Sequence, residues 1–162
     1  MLNVAVSMIC VKQIDNEFFY LIQERTNKGI AEWKGTWEFP QGRLGDNQLL
    51  DFASFKFNNE TGMYLDEILV SKGIWVESDS HEQIECCEPF IVVIAHGDIA
   101  LHFFVRGSGI SLDTDQAINH RWASAKMLEE LLIEGSVCPL NIGAFESLVR
   151  MEKEQSIDKY LL

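Results

Sequence analysis

The chain has 162 residues, 47% of them hydrophobic and 23% charged, which suits one globular domain able to bury its own core. A formal net charge of −12 and a pI near 4.6 exclude a surface for long nucleic acids, whose phosphates need clustered Lys and Arg. No apolar run approaches the roughly 20 residues of a membrane span.

A small anion is still admissible, because two or three local cations dominate within a Debye length of roughly 8 Å. The four cysteines show no zinc or disulfide spacing, and the apolar start VAVSMICV carries no basic leader. Reduced thiols in a cytoplasmic protein are the expectation, with no membrane partner.

Residues 3–12, rich in Val, Ile and Met, and residues 17–25 flank Asp15-Asn16, a pair that turns readily. This pattern predicts a hairpin. Arg25, at its end, is the first cation placed to meet a ligand. The polar stretch 26–35 follows and carries Trp33, and an aromatic ring there suits stacking on a base. Trp37, already in the next strand, reads as core.

That strand, Trp37-Glu38-Phe39, stops at Pro40. Gly42 and Gly45 permit a tight loop, and the periodic run from Leu49 to Gly62 predicts a helix. Amides of the loop and of the first helical turn can point at a phosphate. Residues 66–76 predict a strand broken by Gly73, and 77–87 an acidic connection.

Residues 89–96 and 100–106 flank Gly97-Asp98-Ile99 and predict a hairpin of central strands. A loop over 107–116 leads to a short strand, 117–123, carrying His120, Arg121 and Trp122. Ser124 is placed to cap a helix whose apolar face is Met127, Leu128, Leu131 and Leu132, with Gly135 at its end. A last helix spans 141–154, before a tail that packs or frays.

The segment WEFPQGRL (37–44), followed by ETGM (60–63), resembles the Nudix, or MutT-like, hydrolases, whose signature reads G-x5-E-x7-R-E-U-x-E-E-x-G-U with U aliphatic. The flanks agree: a hairpin before, a strong hairpin after, then HRWAS leading into a helix. The resemblance implies an α/β fold, a Nudix-type α/β/α sandwich around a mixed β-sheet in a single domain over 1–162. It also implies a small phosphate-containing ligand, a nucleoside diphosphate linked to another group, and a homodimer. FPQG is similar to the segment found in dinucleoside polyphosphate hydrolases.

In that family glutamates at i, i+3 and i+4 share one helical face and hold Mg²⁺ against a pyrophosphate, where the metal polarises the phosphoryl oxygens and activates water. Aligned on Gly62, the R-E-U-x-E-E positions here are Phe55, Lys56, Phe57, Asn58, Asn59 and Glu60. Aligned on Gly42, the signature ends one residue short, which places a deletion around 45–47. The signature arginine falls on Phe55 and the loop glutamate near Asn47, so both partners of the family's bracing ion pair are replaced together.

Three readings of function follow. In the first, the degenerate helix carries weak or no pyrophosphohydrolase activity. A nucleoside-diphosphate-type ligand then stacks on Trp33 or Phe39, with Arg25, Arg43 and Lys56 near its phosphates. In the second, a Mg²⁺-dependent hydrolase of substrates such as dinucleoside polyphosphates or ADP-ribose keeps Glu60 as catalytic residue and metal ligand. Its further carboxylates come from Glu38 or from Glu77, Asp79, Glu82, Glu85 and Glu88. In the third, the scaffold serves only as a protein-interaction domain. His102, alternating within an apolar strand, reads as a core histidine, and His120 stands as a candidate base.

Overall fold

A computed structural model of the chain describes residues 3–26, 30–69, 76–77, 83–84 and 89–161. Strands β1 (Asn3–Ile14) and β2 (Glu17–Arg25) form the first hairpin. Asp15 and Asn16 take φ of 49° and 65°, the left-handed pair that a two-residue hairpin turn requires and that Asp and Asn tolerate. One 3-10 turn, Ala31–Trp33, precedes β3 (Trp37–Glu38) and β4 (Gln41–Arg43). Helix α1 (Leu49–Thr61) ends at Gly62, whose φ of 72° suits a residue without Cβ.

Strand β5 (Tyr64–Leu69) follows, and β6 (Val76–Glu77) pairs with β7 (Gln83–Ile84) in a small ladder of its own. Strands β8 (Ile91–Ala95) and β9 (Asp98–Ser108) form the second hairpin, and β10 (Ala117–Ala123) completes the strands. Helix α2 (Ala125–Glu134) starts where the Ser124 hydroxyl accepts from the Met127 N–H. Helix α3 (Ile142–Lys153) and the short α4 (Asp158–Leu161) end the chain, and Ile157 and Leu161 of the tail are buried.

The main sheet runs β10-β2-β1-β9-β5 and is mixed, because β1 and β9 are parallel while the other pairs are antiparallel. One face is covered by α1, which packs Ala53 and Phe57 onto Val6, Met8, Phe103 and Val105. On the opposite face Leu128 of α2 and Phe145 and Leu148 of α3 pack onto Ile9, Tyr20, Ile22 and Phe104. The result is the expected α/β/α sandwich. With helices on both sides, β1 is buried without alternation from Ala5 to Val11, and all of these residues but Ser7 are apolar.

A divided strand edge positions the polar residues of the interior. On the edge of β1 away from β9, residues 11–14 pair with β2, whereas residues 5–7 pair with β4. On its corresponding edge β2 pairs first with β1 and then, at Gln23 and Glu24, with β3. The sheet thus opens into a fork, crossed by the segment from Trp37 to Arg43 and held at its apex by the Met8 N–H donating to the Pro40 carbonyl (2.8 Å).

The second hairpin departs from expectation in one strand. β9 is central, but β8 is an edge strand among the described residues, and its Val92 and Ile94 are 50% and 73% exposed. The cause is that β5 and β8 share one flank of β9, β5 at residues 104–108 and β8 at 98–102. The strand expected over 66–76 is described to Leu69, in β5, and again at Val76, which belongs to β6. Gly73, Asp79, His81, Glu82, Glu85, Cys86, Cys87 and Glu88 lie outside the described residues, and of Glu77 only the backbone is described. Cys10 and Cys138 are buried free thiols, and burial raises the Cys10 pKa to about 12. No described helix is long and apolar enough to cross a membrane.

Candidate functional site

Five polar side chains are buried at the fork: Gln23 of β2, Glu38 of β3, Gln41 of β4, Glu60 of α1 and Asn141 beside α3. Each sits on an element otherwise chosen for apolar packing, so each must find a partner there. The Gln23 amide nitrogen reaches both Glu60 Oε2 and, at 3.5 Å, Glu38 Oε1, joining two carboxylates with no exposed surface. Arg25 Nη1 donates to Glu38 Oε2 at 2.7 Å, and Gln41 Nε2 donates to the same oxygen at 2.7 Å. Asn141 then fixes the crossing segment. Its Oδ1 accepts from the Phe39 N–H (3.0 Å) and its Nδ2 donates to Gln41 Oε1 (2.9 Å).

Glu60 is compensated from its own helix. Lys56 lies one turn earlier, and its Nζ is 2.9 Å from Glu60 Oε1. The ammonium also donates to Gln116 Oε1 at 3.4 Å, which leaves one of its three N–H groups for the space beyond. Its stem rests on Gly42, where an added Cβ would fall 2.5 Å from Lys56 Cε. The glycine is there so that the lysine can cross.

That space is a cleft of about 320 Å3 at the mouth of the fork, lined by Arg25, Trp33, Arg43, Lys56, Gln116 and Asp98 among others. It is within the size range of small-ligand sites. Four of the six residues expected at the site therefore meet in one place: Arg25, Trp33, Arg43 and Lys56. Glu60 lies behind Lys56, off the cleft wall. The Trp33 ring is largely covered, edge-on to His96 (5.7 Å) with the Arg25 guanidinium above it (5.6 Å), so it closes one end of the cleft.

Two expectations are corrected. Phe39 is no stacking platform: it has no exposed surface and packs against Phe145 (4.8 Å) and His102 (6.3 Å), because the second residue after Trp37 points into the α3 side of the sheet. The first turn of α1 is no anion cradle either. The helix approaches the cleft through Lys56, in its second turn, and not through its N-terminal amides.

The described histidines, His96, His102 and His120, take no place on the cleft wall. The His102 Nε2–H donates to the Leu140 carbonyl (3.0 Å), and burial lowers the His102 pKa to about 4, so the ring is a neutral core group as expected. His120 Nε2 donates to the Glu60 main-chain carbonyl (2.9 Å), steadying the end of α1.

A Mg²⁺ ion wants about six oxygens in octahedral array. The helical face that should supply them offers Lys56, the exposed Asn59 and Glu60, and both Glu60 oxygens already accept from protein donors. Glu38 is likewise matched by Arg25 and Gln41. Among the described residues no group of three or more His, Cys, Asp and Glu side chains could hold a metal. The described residues do not fit the ion.

No protein-family profile matches the sequence, and no curated protein does. Solved structures do match in shape. A MutT protein from Methanosarcina mazei Go1 superposes with a TM-score of 0.58 at 18% identity, over 94% of this chain and 96% of that one. A NUDIX-family hydrolase from Clostridium perfringens gives 0.61 at 10% identity, over 93% and 96%. The NUDIX domain of Shewanella oneidensis NrtR, complexed with ADP ribose, gives 0.53 at 13% identity, over 96% and 88%.

The chain has the Nudix fold. Within it, Gln23, Glu38, Gln41, Gln116 and Asn141 form a polar layer that the sequence alone did not single out as a site, apart from Glu38 as a substitute carboxylate. The available signal was a polar residue inside a run that alternation would bury, as with Gln23 in YLIQE. Strands of the Nudix fold with both faces covered make that signal stronger than it is on a half-exposed sheet.

Proposed function

We propose that the protein binds a nucleoside-diphosphate-type ligand in the cleft at the fork, without Mg²⁺ and with weak or no pyrophosphohydrolase activity. The Lys56–Glu60 pair carries this reading. An ammonium fixed on the second turn of α1 puts a permanent positive charge beside the cleft. With its remaining N–H it can bind a phosphate oxygen directly. Arg43, exposed on β4 and also on the cleft wall, supplies a second phosphate contact. An ammonium neutralises phosphate as a divalent ion does, but it does not turn a bound water into hydroxide at neutral pH. Binding therefore persists where hydrolysis does not.

The NUDIX domain of NrtR holds ADP ribose in its crystal structure, which makes ADP-ribose the first ligand to offer this cleft. A turnover panel of ADP-ribose and dinucleoside polyphosphates with Mg²⁺ tests the catalytic half of the proposal. The expected result is no product above background at ligand concentrations that saturate binding. Phosphate or nucleotide release that Glu60→Gln abolishes would instead establish a hydrolase using Glu60.

A further inference from the structure

Asp98 is the first residue of β9, and with 9% of its surface exposed it is nearly buried, yet it lies on the cleft wall. No hydrogen bond or ion pair joins its carboxylate to the described residues. Every other buried carboxylate in the described residues is compensated: Glu38 by Arg25 and Gln41, Glu60 by Lys56 and Gln23. The Asp98 oxygens are not sealed from solvent as those of a core residue would be, so they stand as acceptors open to the cleft.

The position of Asp98 says what they accept from. Asp98 pairs with Asn3 in the sheet, whereas Gly42, on which Lys56 rests, pairs with Val6. The acceptor and the cation thus attach three residues apart along β1, roughly 10 Å at the usual rise of a strand, and on its opposite edges, about 10 Å apart across the sheet. Trp33 and its edge contact with His96, two residues before Asp98, close the acidic end. A ligand with phosphate at the Lys56 end carries its sugar or base toward Asp98.

We infer that Asp98 is a specificity-determining residue that binds a pair of hydrogen-bond donors at the end of the ligand remote from its phosphates. A carboxylate only accepts, and its two oxygens match two adjacent donors. In nucleotides that chemistry has two sources, the N1–H and N2–H₂ edge of guanine and the vicinal hydroxyls of a ribose. A uracil edge, one N–H between two carbonyls, is repelled. This rests on the proposed phosphate binding at Lys56, and the test separates the two.

Titration calorimetry of the wild-type protein in chelator, with GDP, UDP, ribose 5-phosphate, 2-deoxyribose 5-phosphate and inorganic pyrophosphate, reads the preference without any variant. The expected result is that GDP exceeds UDP, or ribose 5-phosphate its deoxy analogue, by about tenfold or more, whichever pair identifies the source. In Asp98→Asn that ratio falls to within about threefold, even though loss of the negative charge tightens phosphate binding for every ligand. Equal affinities within both pairs, or a ratio unchanged in Asp98→Asn, would overturn the assignment while leaving the phosphate site intact. If pyrophosphate and all four nucleotide and sugar phosphates fail to bind, the phosphate site falls as well. A variant that does not fold leaves the wild-type ratios as the deciding result.

Discussion

Replacing Lys56 by Met keeps an unbranched stem against Gly42 and removes the charge that faces Glu60. The wild-type ion pair is short, 2.9 Å, and Glu60 has no exposed surface, while the lysine side chain is 18% exposed. Removing one partner of a buried pair costs about 3–5 kcal/mol, because the other charge remains without its counterion. Lys56 is partly solvated and Gln23 still donates to Glu60, so the lower end applies, about 3 kcal/mol. For a chain of this size that lowers Tm by about 6–12 °C. Urea unfolding of wild type, Lys56→Met, Glu60→Gln and the double variant gives the coupling directly. The double variant is expected to be more stable than Lys56→Met alone, since the neutral amide that replaces the Glu60 carboxylate needs no counterion. A Lys56→Met stability within about 0.5 kcal/mol of wild type, with no coupling, would refute the claim that the lysine stands in for a metal at Glu60.

Two further outcomes follow from the polar layer and the core. Asn141→Ala strands the Phe39 N–H and the Gln41 side-chain carbonyl, both buried, and is expected to cost about 2 kcal/mol in denaturant unfolding while loosening the Trp37–Arg43 crossing. His102 is neutral in the fold with its pKa lowered from 6.5 to about 4, so the unfolded chain takes up the proton first. Its contribution is fully present above pH 6.5 and is lost as pH falls from 6.5 toward 4, by up to roughly 3 kcal/mol. A His102→Gln variant should lack that component of the stability profile measured over the same range.

The fold was legible in the sequence because its signals are local. Asp15-Asn16 turn, Gly62 and Gly135 end helices, Ser124 caps, and the apolar spacing of α2 shows which face is buried. The site was legible in part for the same reason, since Arg25, Trp33, Arg43 and Lys56 sit on recognisable elements that the fork brings together. What was not legible is set by long-range pairing. The divided flanks of β1 and β9 decide that Phe39 points into the core, that β8 is an edge, and that Gln23, Glu38, Gln41 and Asn141 meet. Asp98 looked like an ordinary turn residue until its pairing with Asn3 set it in the cleft wall.

The central claim is that a protein cation has taken over the role of the divalent ion in phosphate binding. Titration of ADP-ribose into the wild-type chain, once with Mg²⁺ and once with chelator, tests it most directly. Equal affinity in the two conditions, lost in Lys56→Met, is the predicted result; heat of binding that appears only when Mg²⁺ is present would contradict it.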